Sequence, residues 1–187
     1  MQNPNAWRQD TEYLNIVDDL LAHDEVQKLA LYPQHHFSNR LQHSISVSYH
    51  SYLIAKKIGA DEVATARAGL LHDMFYYDWR VTKFAEGSHA YVHPRIALKN
   101  ARKITTISPK EEDIIVKHMF GATIALPKYR ESWIVSLVDD FAAVDEYAIP
   151  KAYLTYFKWQ ENIARKMARV FASVSYTHLT LPTICSE

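Results

Sequence analysis

Apolar side chains recur at three- and four-residue spacing along most of this 187-residue chain, and no alternating apolar/polar run is long enough to predict a strand. Helices with one apolar stripe must bury it against one another, so the predicted fold is all-α, a helical bundle in a single domain. Helices are expected over about Glu12 to Leu21, Asp24 to Leu31 and Asn39 to Ile58, the last with Leu41, Ile45, Ser48, Tyr52 and Ala55 on one side. Gly59 suits the C-cap of that helix and Asp61 the N-cap of the next, which runs to about Phe75 with Val63, Ala66, Leu70 and Met74 in a row. Tyr76 to Ala90 shows no period and reads as a loop. Pro94 is expected at the first position of a helix reaching about Ile104. Ser108, Pro109 and Glu111 fit the N-cap, N1 and N3 positions of another that ends near Gly121. Two last helices are expected over about Glu131 to Tyr147 and Pro150 to Phe171.

Composition narrows the class further. Lys plus Arg (21) balances Asp plus Glu (21), so the formal net charge is zero and no nucleic-acid polymer is expected as a partner. No run approaches the roughly 20 apolar residues of a bilayer span, and the first residues lack a signal-peptide apolar region. A cytoplasmic protein without a membrane partner is expected, with homo-oligomerisation left open. The single cysteine, Cys185, excludes a disulfide framework and a thiolate zinc site. None of the four glycines forms a phosphate-cradling loop. The string Val174 to Thr183 resembles a translated sequencing adapter, so the domain is placed at residues 1–173 and residues 174–187 are set aside as a non-native tail.

Ten histidines are the compositional oddity. His43 shares a helical stripe with Val47, Ile54 and Ile58, and His72-Asp73 closes the fourth helix three residues after Gly69, which permits close approach of a neighbour. His93 precedes Pro94, and His118 follows Ile114 and Ile115 on an apolar face. Asp139 and Asp140 interrupt an apolar segment from Trp133 to Ala143, and helical geometry alone does not choose between them. Buried carboxylates and imidazoles are costly without partners. Each histidine taken alone reads as a hydrogen-bonded core residue, yet several converging in one bundle call for a divalent cation. Imidazole and carboxylate ligands without thiolate suit Mn, Fe, Co, Ni or Mg.

The order His43, His72-Asp73 and Asp139 resembles the H…HD…D signature of the HD superfamily of metal-dependent phosphohydrolases. Arg40-Leu-Gln-His43-Ser-Ile-Ser-Val is similar to that family's R-x-x-H-S-x-x-V, and Gly69-Leu-Leu-His72-Asp73 to its apolar run into the HD pair. The segments around His93-Pro94 and Ile115-Val-Lys-His118 resemble the two extra histidines of its dinuclear branch, which includes HD-type dinucleoside tetraphosphate hydrolases and HD-GYP cyclic dinucleotide phosphodiesterases. The second of these fits less well, because the G-Y-P segment is absent and Met119, not histidine, follows His118. The resemblance spans roughly Phe37 to Tyr147 and implies an HD-type helical bundle. By it, His43, His72, Asp73 and Asp139 hold one metal, and Asp73 bridges to a second held by His93 and His118. It also favours Asp139 over Asp140 as the ligand.

One or two divalent ions in such a site imply a metal-activated hydroxide attacking phosphorus, with no serine, cysteine or lysine nucleophile needed. The expected activity is hydrolysis of phosphate esters or anhydrides of a nucleotide-like small molecule. Asp73 and Arg40 are the catalytic candidates. Arg40, one turn before His43, could also bind a phosphate, and Arg80, Lys83 and Lys117 are further substrate-binding candidates for which a solvated surface charge is the commoner role. Phe75, Tyr76, Tyr77 and Trp79 could stack a base, although core packing is the commoner use of such rings. His50 lies too far along its helix to share an ion with His43, His35 and His36 read as loop residues, and His23 reads as surface. His89 competes with His93 but lacks the His-Pro context. Two other functions use the same scaffold: a di-iron oxygenase, and a non-catalytic nucleotide-binding module.

Overall fold

The long helix α3 (Arg40–Ile58) forms where the sequence supplies start and stop signals together. Asn39 accepts from the Gln42 amide while the Gln42 side chain accepts from the Asn39 amide, a reciprocal cap, and Gly59 ends the helix in the left-handed region at φ 64°. Ahead of it lie α1 (Thr11–Leu21), capped by Asp10, and the short α2 (Asp24–Gln27), which tightens into a 3-10 turn at Lys28–Leu31. Beyond it come α4 (Glu62–Leu71), α5 (His89–Ile104), α6 (Pro109–Lys117) and a helix α7 whose described residues are 130–144. This computed structural model describes residues 5–34 and 38–144. The predicted helix from Pro150 to Phe171, the end of the one before it, the 174–187 tail, His35, His36 and Phe37 lie outside them. Among the described residues there is no strand, only isolated bridges pairing Pro33 with Asn39 and Phe120 with Thr123, and the fold is all-α.

Helices α3 and α4 form the most extensive packing pair, and Gly69 makes that closeness feasible. A β-carbon built on Gly69 would sit 3.0 Å from the Ser48 Cα. Ser48 in turn donates to the Ala66 carbonyl at 2.6 Å and accepts from the Tyr13 hydroxyl at 2.8 Å, tying α1, α3 and α4 together. The main core gathers Tyr13, Val17, Leu20, Val47, Tyr52, Leu70, Leu71, Met74, Ile114 and Val135. A satellite of Ala55, Ala60 and Ile134 seats α7 beside α3. The Ser136 hydroxyl bonds the His118 carbonyl at 2.7 Å and that of Ser132 bonds Asp113 at 2.7 Å, fixing the rotation of α7 against α6.

Four local expectations are corrected. Helix α5 begins at His89, so Pro94 is inside it and not at its first position. Lacking an N–H, Pro94 forgoes a bond within the first turns, a place where helices tolerate that loss better than in mid-length. Ile54, Ile58 and Val63 are exposed, because the buried stripe of α3 runs through His43, Val47, Ser51 and Ala55, and that of α4 through Ala66, Leu70 and the following Met74. The fourth helix stops at Leu71 rather than Phe75, with Met74 and Phe75 turning back onto the carbonyls of Leu71 and Asp73. His23 is not an idle surface residue: its Nδ1 accepts from the Glu25 amide at 3.2 Å and caps α2.

Gly69→Ala sets two effects against each other. Ala gains about 1 kcal/mol of helix propensity over Gly, but overpacking against a helix backbone costs about 1–3 kcal/mol. The contact with Ser48 makes the second term prevail, so the variant is expected to melt a few degrees lower in a thermal scan. An unchanged or raised Tm would show that α3 and α4 are not held at closest approach there.

Candidate metal centre

Helices α4 and α6 end at the same place. His72 caps the C-terminus of α4 and His118 that of α6, so two partial negative helix ends point into one small volume. His93 enters it from the second turn of α5, His43 from the first turn of α3, and Asp139 from α7. Asp73 follows His72 just past the helix. His43, His72, Asp73, His93 and His118 are all buried, and the Asp139 side chain is 14% exposed.

Three of the imidazoles are oriented by their own helices. His72 Nδ1 lies 2.7 Å from the Gly69 carbonyl, His93 Nδ1 2.9 Å from that of His89, and His118 Nδ1 2.7 Å from that of Ile115. A carbonyl only accepts, so each Nδ1 carries the proton, and in the neutral ring Nε2 is left as a lone pair. These three Nε2 atoms face inward. Those of His93 and His118 stand 2.8 Å apart, and that of His72 is buried with no hydrogen-bond partner among the described residues. Opposed lone pairs at such a distance repel, and a buried unpaired nitrogen is costly. A cation relieves both problems, and an Nδ1–H anchored on a carbonyl is the usual outer support of a metal-bound histidine.

The carboxylates complete the arrangement. Asp73 Oδ1 is 3.2 Å from His93 Nε2 and 3.7 Å from His118 Nε2, while its Oδ2 is 3.8 Å from His72 Nε2. Asp139 Oδ1 is 2.9 Å from His43 Nε2 and 3.5 Å from His72 Nε2. Three overlapping groups have ligand atoms within 4.8 Å of one another: His43 with His72 and Asp73, His72 with His118 and Asp139, and Asp73 with His93 and His118. Asp73 belongs to two of them, one oxygen toward each. Asp140, one residue on, is exposed, and partial desolvation of its carboxyl, with the Asp139 charge beside it, raises its pKa.

Electrostatics follow from this crowding. Burial pushes the Asp73 carboxyl up, but His72, His93 and His118 outweigh it and hold the group well below the usual carboxylate range. Asp139 is likewise lowered, burial being overcome by its contacts with His43 and His72. Burial drives His118 down to about 3, with His93 and His72 adding to the effect. Burial also lowers His72, yet Asp73 and Asp139 leave it raised overall. The set therefore presents two ionised carboxylates and at least one neutral imidazole, the forms in which these side chains ligate metals.

The remaining sequence-derived candidates lie elsewhere. Arg40 is fully buried and does not present an open guanidinium: Nε donates to Gln34 Oε1 at 2.8 Å, and the terminal nitrogens reach the carbonyls of Phe75 at 2.7 Å and Tyr77 at 3.3 Å. Its plane also covers the Phe75 ring at 3.5 Å. It braces the turn after Asp73, in place of the phosphate contact expected of it. Arg80 is exposed and forks onto Asp78 at 2.8 and 2.9 Å, Lys83 is exposed, and Lys117 reaches the Leu126 carbonyl at 3.2 Å. Phe75 is core, while Trp79 is 37% exposed and stacks on His89, which stacks on His93. His89 is thus a packing neighbour of a ligand candidate, half-buried and lowered to about 4 by that burial and by His93. His50 is exposed and bonds its own helix at Ser46. Gln34, whose amide lies 2.7 Å from Asp73 Oδ2, was missed. A lone glutamine before a helix carries no spacing signal.

Comparison with known proteins agrees with this geometry. The HD domain family model matches residues 40–144, more than half of the 187 residues, and the chain belongs to the HD domain family, a superfamily of metal-dependent phosphohydrolases. Among curated relatives, the chain is similar to Ribonuclease Y of Nitratiruptor sp. (32% identity over 117 residues, 57% of this chain and 19% of the relative). It is also similar to Ribonuclease Y of Clostridium kluyveri (43% over 61 residues, 33% and 11%) and of Clostridium tetani (38% over 78 residues, 40% and 14%). The chain therefore spans less than a fifth of the length of these relatives. No solved structure matches it. No helix among the described residues is long and apolar enough to cross a membrane.

If these side chains hold a divalent ion, Mn²⁺ at about 100 times its Kd should stabilise the fold by about 2.7 kcal/mol, seen as a raised Tm that chelator reverses. Asp139→Asn should weaken that binding about tenfold or more, whereas Asp140→Asn should leave it unchanged. Equal effects of the two variants in a titration would detach Asp139 from the site.

Proposed function

We propose that this chain hydrolyses phosphate esters or anhydrides of a nucleotide-like small molecule, with one or two divalent cations held by His43, His72, Asp73, His93, His118 and Asp139. The observation that carries this reading is the set of three imidazoles, each anchored at Nδ1, whose Nε2 atoms meet two depressed carboxylates in one buried volume. Bound divalent cations supply an acidified water and positive charge for the phosphoryl oxygens. The side chains do the rest of the work. Asp73 offers one oxygen to the His72 side and the other to the His93–His118 side, so it fixes the spacing of whatever binds there. Burial of the imidazoles keeps bulk water from competing and strengthens every charge interaction in the site.

Substrate charge has to be met by the protein's own cations. Arg40 contributes by holding the turn that carries Asp73 and Phe75. Lys83 and Arg80, in the exposed segment before α5, are assigned to the outer phosphates, Arg80 by exchanging its Asp78 partner, with Lys117, the residue before His118, as a third cation. Trp79, stacked on His89 and partly open to solvent, is the ring best placed to receive a planar base.

The name of the Ribonuclease Y relatives gives a second reading, cleavage of RNA phosphodiesters. The balanced charge of this chain favours the small-molecule reading over it. A panel of mononucleotides, dinucleotides and short RNAs, assayed with Mn²⁺, Co²⁺ and Mg²⁺, separates the two. Release of phosphate or mononucleotide from small substrates is expected, with Asp73→Ala lowering kcat/KM at least about a hundredfold, the scale of losing one charge-stabilising group. Turnover of RNA alone would move the assignment to the second reading. Activity untouched by Asp73→Ala would remove both.

A further inference from the structure

The charged carboxylate at the heart of the cluster has a partner that lies outside the ligand set. Gln34 precedes α3 by six residues and is 9% exposed. Its backbone is held by a bridge across the chain: the Gln34 amide donates to the Ser38 carbonyl at 3.1 Å, and the Arg40 amide to the Tyr32 carbonyl at 2.9 Å. From that fixed base the side chain spans two buried charges. Nε2 donates to Asp73 Oδ2 at 2.7 Å, and Oε1 accepts from Arg40 Nε at 2.8 Å. Chemistry leaves one orientation of the amide. A guanidinium has no acceptor and a carboxylate no donor, so oxygen must face Arg40 and nitrogen Asp73.

We propose that Gln34 is a positioning residue for Asp73, a role that rests on the metal-centre reading above. Oδ2, on the His72 side, is shared with an amide N–H, whereas Oδ1, on the His93–His118 side, keeps its full donor strength. The two halves of the cluster are therefore unequal: the half that uses Oδ2 is the weaker binder, and the carboxylate cannot rotate to equalise them without breaking a buried, charge-assisted bond. Arg40 acts through the same amide. Its guanidinium polarises the Gln34 carbonyl, which strengthens the N–H donated to Asp73, and its other donors fix the turn from Phe75 to Tyr77.

The test uses the full chain, Mn²⁺ titration with competition by chelator, and visible spectroscopy of the Co²⁺-loaded protein. Gln34→Met keeps the length and loses both bonds. Gln34→Asn keeps both functional groups but, one methylene shorter, cannot reach both partners, and it decides the question if the first variant fails to fold by circular dichroism. Loss of an outer hydrogen bond to a metal ligand costs about 10- to 100-fold in affinity. Freed of Gln34, the carboxylate can swing away from the His72 side, and this loss of position outweighs the donor strength Oδ2 regains. The loss is therefore expected for the weaker Mn²⁺ event, together with a shifted Co²⁺ absorption band and little change in the tighter event. Folded variants with wild-type Mn²⁺ affinities and an unchanged Co²⁺ spectrum would overturn the role while leaving the metal centre standing. A wild-type protein that takes up neither ion would remove the centre and this role together.

Discussion

Everything in this molecule turns on three imidazole nitrogens that cannot point anywhere else. His72, His93 and His118 each give their Nδ1 proton to a carbonyl three or four residues back in their own helix. For His72 and His118 that bond costs the helix little, since the carbonyls of Gly69 and Ile115 lie in the last turns of α4 and α6, where no amide follows to claim them; for His93 the carbonyl is that of His89, at the start of α5. In exchange the Nε2 lone pair is fixed in direction and unable to escape its neighbours. The bundle is built so that α4, α5 and α6 bring those directions to one point, and Asp73 and Asp139 supply the opposing charge.

The packing that achieves this is set well away from the site. Gly69 lets α3 and α4 approach until backbones nearly touch, which brings His43 beside the end of α4, and the same residue's carbonyl orients His72. Ser136 does a parallel service on α7 by anchoring to the His118 carbonyl, one turn ahead of Asp139. Site and scaffold thus share atoms. Loosening the scaffold should be felt at the site before the fold is lost.

Much of the helical framework was legible in the sequence because its signals are local. The capping box at Ser108, the C-cap at Gly59, the N-cap at Asp61 and the close-packing glycine at Gly69 each stand where their chemistry predicts. Convergence of His43, His72, Asp73, His93, His118 and an aspartate of the last described helix was also legible, from the apolar neighbours of His43 and His118 and from the ordered HD-like motifs that hold the others. What failed was longer range. Periodicity placed Ile54, Ile58 and Val63 inward, but which side of a helix is buried depends on where its neighbours stop, and none covers those positions among the described residues. The resemblance favoured Asp139 over Asp140, but helical geometry alone left that choice open, because it turns on the rotation of α7, fixed by Ser132 and Ser136, two hydroxyls with no pattern of their own. Arg40, by its place one turn before His43, suggests a phosphate contact. Its true partners, Gln34 and the carbonyls after Asp73, are assembled only in three dimensions.

Anomalous diffraction from crystals soaked in Mn²⁺ bears most directly on the central claim. The account places density for at least one ion between the Nε2 atoms of His72, His93 and His118 and the Asp73 carboxylate. Crystals in which that volume holds no anomalous peak at saturating Mn²⁺, with the imidazoles paired to one another or to protons instead, would contradict it.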